Sequence, residues 1–163
     1  MCQDKLKYII SIFKKKNYSI STIESCTGGR IAAAITSVPG ASDIFPGGIV
    51  TYQTWVKEKF IGVKKDLLLK FDVVSKQVAE QMVLGGCQMF DTDFAIATTG
   101  YAGPTTCNPE IPVGTIWIGF GNKNVVLTKC LHLNGSRENN INETIDNAID
   151  FIITNFNIII NKN

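Results

Sequence analysis

The sequence predicts an α/β fold with one β-sheet and helices on both of its faces. Three observations carry that expectation. Runs of helical period alternate with short β-prone runs along the chain. Residues 93–98, DFAIAT, are apolar enough for a strand buried on both faces. The 163 residues hold no internal repeat, low-complexity block or linker, so one domain is expected.

The elements follow in order. Tyr8, Ile9, Ile12 and Phe13 recur at helical spacing and predict a helix over 4–16. Lys14, Lys15 and Lys16 suit its C-terminus, and Asn17 breaks it. Residues 18–23, YSISTI, alternate as a strand. Glu24-Ser25-Cys26-Thr27-Gly28-Gly29 is a polar turn that leads through Arg30 into the Ala-rich helix IAAAIT. Val38-Pro39-Gly40-Ala41-Ser42 ends that helix. Gly47-Gly48 opens a second strand over 49–52, and 53–61 form a short helix. Residues 66–70 make another helical turn. Ser75 caps a helix over 76–90, with Val78, Met82 and Met89 on its inner face and Gly85-Gly86 weakening it. The strand at 93–98 runs into a second Gly-containing loop, Thr99-Gly100-Tyr101-Ala102-Gly103-Pro104, which continues through Pro109 and Pro112. Residues 113–120 and 124–131 predict a β-hairpin turning at Gly121-Asn122-Lys123. Gly135-Ser136-Arg137 precedes a last helix with Ile141, Ile145, Ala148, Ile149 and Ile152 in register. Its apolar tail, FIITNFNIII, is interrupted by Asn155 and Asn157 and reads as the end of a packed helix that can bury its face against a second subunit.

Composition narrows the function classes. Apolar residues make up 45% and charged residues 18%, the balance of a folded domain. The net charge of +2, with no long basic stretch, gives no case for nucleic acid. Five cysteines at 2, 26, 87, 107 and 130 form no CxxC, and His132 is the single histidine. A structural zinc site is not expected, and reduced thiols in a cytoplasmic protein are. No 18-residue apolar run is present, so no membrane span is expected. The opening MCQDKLKYIISIFKKK has too short an apolar core for a signal peptide.

The chemistry is expected where strands run into loops. Small polar residues stand after two predicted strands, at Ser25-Cys26-Thr27-Gly28-Gly29 and at Thr98-Thr99-Gly100. Ligands of open α/β sheets bind beyond the carboxyl ends of strands. If the two strands are parallel neighbours, these loops share one pocket. A helix starting near Thr27 would aim free N–H groups into it, ready for a phosphate or an oxyanion. The same run also serves simply as a helix cap and turn. Were Ser25 a nucleophile, it would need a base. His132, beside a predicted strand, is a packed or edge residue, which leaves lysine. Lys57 and Lys59 follow the second strand. A free lysine is about one part in a thousand neutral at pH ~7.4, and lowering its pKa to about 7.5 takes about 4 kcal/mol. Burial or a nearby cation such as Arg137 must supply that shift. Cys26 is a rival nucleophile or a small buried hydrophobe.

At these residues the chain resembles the C-terminal domain of the CinA family, the competence- and damage-inducible proteins. The first shared motif is Glu24-Ser25-Cys26-Thr27-Gly28-Gly29. Pro39-Gly40-Ala41-Ser42, Gly47-Gly48-Ile49-Val50-Thr51-Tyr52, Lys57, Ile61-Gly62-Val63 and Val74-Ser75 follow in the family's order. Thr99 to Pro104, the segment from Pro109 to Thr115, and Gly135-Ser136-Arg137 complete it, over residues 5–155. The resemblance implies a three-layer α/β/α sandwich with one mixed sheet, homo-oligomeric and needing no metal or cofactor. It implies a nicotinamide-nucleotide amidohydrolase that converts nicotinamide mononucleotide to nicotinate mononucleotide and ammonia. Ser25 would be the nucleophile and Lys57 its base. Tyr52 and Ser42 would line or orient the site, and Thr99 would contact the amide or its oxyanion. Arg137 would meet the phosphate or the catalytic network. Thr27, Gly28 and Gly29 would supply backbone N–H groups, with Gly100 in the substrate-binding set. The chain departs from the family pattern in three places, one of them a tripeptide. Thr105-Thr106-Cys107 replaces a glycine run, Tyr101 a small aliphatic residue, and Ser136 an acid. Two rival functions are a non-catalytic nucleotide-binding module and an amidase for another small amide.

Overall fold

A strand buried on both faces must send apolar side chains alternately up and down. The computed structural model, which describes residues 3–162 and leaves Cys2 outside, shows this in its central strands. Ile20 of β1 (Ile20–Glu24) enters one core and Ile23 the other. In β3 (Phe94–Gly100), Phe94 and Ile96 face the first core, Ala95 and Ala97 the second. The first core is covered by α1 (Gln3–Lys16), α2 (Arg30–Thr36) and α6 (Arg137–Ile160). The second is covered by α3 (Thr54–Ile61), α4 (Lys65–Phe71) and α5 (Lys76–Phe90). The architecture is therefore a three-layer α/β/α sandwich.

One mixed sheet lies between the layers, in the order β2 (Gly48–Val50), β1, β3, β4 (Thr115–Gly121), β5 (Val126–His132). The edge strands are β2 and β5. The pairs β1–β2 and β1–β3 are parallel, and β3–β4 and β4–β5 are antiparallel. Glu24 pairs with Thr98, so the loops after β1 and β3 leave the sheet side by side. The condition for a shared pocket is met.

Several elements differ from expectation, each for a local reason. The second strand stops at Val50, short of Thr51 and Tyr52, because the chain turns there into α3. Met89 is 44% exposed rather than inward. The inner stripe of α5 runs through Val78, Ala79, Met82, Val83, Gly86 and Cys87, which leaves Met89 at its margin. The two glycines of that helix are packing devices. A Cβ on Gly86 would stand 2.5 Å from Ile23, and one on Gly85 2.0 Å from the Ile61 carbonyl oxygen. The hairpin begins at Thr115, since Gly114 holds φ +88 in the preceding loop. Its turn is built by Asn122, whose Oδ1 accepts from the N–H groups of Asn124 (2.9 Å) and Val125 (2.7 Å).

The apolar tail is the end of a packed helix, as expected: Ile152, Phe156 and Ile159 are buried in this chain's own core, and Ile158 is exposed. Phe156 packs on Phe13 of α1, ring centroids 4.6 Å apart, and on Phe94 at 5.5 Å. Among the described residues, no helix is long and apolar enough to cross a membrane.

Candidate active site

Ser25 is the first residue past β1. Its N–H still donates to Thr98 of β3 (3.0 Å), so the sheet fixes its backbone. Lys57 comes from the opposite direction, on the buried face of α3, and is 2% exposed. Its Nζ donates to Ser25 Oγ (3.0 Å) and to the Thr51 carbonyl (2.6 Å). Burial pushes the ammonium pKa down from 10.5 to about 8. A neutral Lys57 keeps one N–H on Thr51 and turns its lone pair to the Ser25 hydroxyl. That is the arrangement a general base requires. Lys59, two residues on, is exposed over the Phe60 ring and takes no part. Cys26 is buried, and burial pushes its thiol up to about 12, so it stays protonated and a poor nucleophile. His132 is exposed on the far edge strand, as an edge residue.

The start of α2 departs from expectation in an informative way. Its N–H groups are not open to a ligand, because Glu24 reaches back to take them. The Glu24 carboxylate, fully buried, accepts from the N–H of Gly29 (3.0 Å), Ile31 (3.1 Å) and Ala32 (2.8 Å). The Thr27 hydroxyl adds a fourth bond at 2.7 Å. Gly28 and Gly29, at φ +61 and +91, let the chain curl tightly enough for this. The Gly28 N–H donates to the Ser25 carbonyl at 3.2 Å. Thr27 is thus a support beneath the loop, its hydroxyl 2.7 Å from that of Thr98. Among the described residues, the N–H groups of Cys26 and Thr27 donate no hydrogen bond to another residue.

A cleft of about 660 Å³ opens above Ser25 and Lys57, within the range of small-molecule sites. Tyr52, Thr99, Gly100, Tyr101 and Arg137 line it. Thr99 is buried, and its hydroxyl donates to the Val73 carbonyl (2.7 Å), leaving it an acceptor toward the cleft. Tyr52 is 56% exposed at the mouth. Arg137, first residue of α6, donates to the Tyr52 hydroxyl (2.9 Å) and the Gly103 carbonyl (2.6 Å), spanning the mouth. Ser42 does not join them. It is exposed on the 3-10 turn Ala41–Asp43, and Ile44 just after it bonds to Ile20, at the opposite end of β1. Asp72 and the Thr51 carbonyl were missed, and nothing in their local sequence marks them.

A model of the CinA C-terminal domain matches residues 3–156. The chain belongs to the CinA C-terminal domain family. A CinA-like protein of Flavobacterium psychrophilum is 41% identical over 141 residues, 86% of this chain and 34% of that protein. The chain thus spans about a third of the length of such CinA relatives. The solved competence/damage inducible protein CihA of Agrobacterium tumefaciens is 34% identical, with a TM-score of 0.89 and 93% of each chain covered. A CinA superfamily protein of Escherichia coli is 27% identical, with a TM-score of 0.90, covering 93% of this chain and 88% of its own. The CinA fold is therefore the fold of this chain.

Proposed function

We propose that this domain is a nicotinamide-nucleotide amidohydrolase, hydrolysing nicotinamide mononucleotide to nicotinate mononucleotide and ammonia. The observation that carries the reading is the buried Lys57 amine, 3.0 Å from Ser25 Oγ at the floor of a nucleotide-sized cleft. The resemblance to the CinA family supports the choice of nicotinamide mononucleotide as substrate. Neutral Lys57 takes the Ser25 proton as Oγ attacks the carboxamide carbon. The oxyanion is received by the N–H groups of Cys26 and Thr27, the pair that Glu24 leaves free. Such donors contribute about 3–4 kcal/mol each. Thr99, as acceptor, holds the amide –NH₂. Lys57 then returns its proton to the nitrogen, and ammonia leaves. Water, deprotonated by Lys57, hydrolyses the acyl-enzyme. Arg137 at the mouth takes the phosphate.

Ammonia release from nicotinamide mononucleotide by purified protein tests the reading, beside Ser25→Ala. Turnover in the parent, with a loss of at least ~10³-fold in the variant and an unchanged melting curve, is expected. Full activity in Ser25→Ala would remove the serine mechanism.

A further inference from the structure

The cleft has one wall that the proposed chemistry does not use. Asp72, which ends α4, stands at φ +68, ψ 160, a backbone conformation that only glycine adopts freely. Its carboxylate is fully engaged. One oxygen accepts from the Val74 N–H (2.9 Å) and the Tyr101 hydroxyl (3.1 Å), and the other from the Asn108 side-chain amide (3.1 Å). Tyr101 and Asn108 belong to the long loop after β3, so a single carboxylate pins that loop to the turn before α5. Burial and the Asp72 carboxylate push the Tyr101 phenol up, so it stays protonated and keeps this bond. Asp72 is also the one acid among the described residues that line the cleft, where Lys57 and Arg137 are the cations.

These facts have a joint electrostatic meaning. A phenol that donates to a carboxylate is richer in electrons, and the face of its ring attracts a cation more strongly. The tie also fixes the ring in place. We propose that Asp72 and Tyr101 are specificity-determining residues that favour a carboxamide carried on a cationic ring over one on a neutral ring. The proposal rests on the amidohydrolase reading and deepens it. The phosphate meets the cation at the mouth, and the ring meets the anchored aromatic wall.

The test compares nicotinamide mononucleotide with its reduced form, which keeps the carboxamide and phosphate but has a neutral ring. Binding of each to the Ser25→Ala protein is measured by calorimetry. The oxidised form is expected to bind about 10-fold more tightly. Asp72→Asn in that background should bring the ratio near one. Asp72→Gly, which relieves the backbone and so guards against misfolding, should do the same. Tyr101→Phe, which keeps the ring, should bring it to about 3-fold. A ratio near one in the parent, no binding of either compound, or variants that weaken both ligands equally would overturn the proposal. Ammonia release by the wild-type protein is measured in parallel. Release without ring discrimination sinks this proposal alone, whereas discrimination without release supports it and sinks the hydrolase reading.

Discussion

At the scale of single residues, Lys57 is the base of the proposed activity, and its burial makes it part of the instability of the domain. Its pKa near 8 predicts that kcat/KM for amide hydrolysis rises with pH through about 8 and then levels, as the amine loses its proton. A flat profile from pH 6 to 10 would count against it. The linkage to stability has a definite sign. Between pH about 8 and 10.5 the unfolded chain binds more protons at this site than the folded one, so stability rises with pH across that window. Below pH 8 the fold carries the whole cost of the buried cation. Lys57→Met is therefore expected to abolish turnover yet raise stability at pH 7 by about 1–2 kcal/mol. That net figure allows for the bonds lost to Thr51 and Ser25. The gain should fade in urea melts at pH 10. Ser25 and Lys57 were both legible in the sequence as types in a motif. Their meeting was not, since it depends on where α3 begins after an edge strand that stops two residues early.

At the scale of elements, the turn from β1 to α2 is held by one side chain. Glu24→Ala would leave four donors without their acceptor in a dry environment, at a cost of about 3–5 kcal/mol. Urea denaturation checks it, and a loss below about 1 kcal/mol would mean that water replaces the carboxylate. The elements were largely readable because their punctuation is local. Ser75 and Ser136 cap α5 and α6 through bonds to Val78 and Asn139, and period separates strands from helices. What could not be read was contact between distant segments. A helix start closed by its own chain looks, in sequence, like one open to a ligand. Gly85-Gly86 looks like a weakness until the sheet that presses on it is known. Ser42 belongs to one of the motifs shared with the family yet folds to the far end of β1. Asp72 carries no pattern, because its side-chain partners Tyr101 and Asn108 lie 29 and 36 residues away.

At the scale of the whole molecule, two cores lie on either side of one sheet, and aromatic rings tie the first of them together. Phe156 meets Phe13, Tyr18 and Phe94, joining the two ends of the chain to its middle. Phe156→Ala is expected to cost about 3–5 kcal/mol, read as a shift in the urea midpoint. A smaller loss would show that the core closes over the gap. Helix α6 contributes Phe156 at one end, and at the other Arg137, which spans the mouth of the cleft. Its 24 residues make a rod about 36 Å long. A helix that melts as one unit would release its outer end together with its buried end. Loss of the proposed activity and loss of helical circular dichroism are then expected at one temperature, and activity lost well below the melt would show that the cleft opens first.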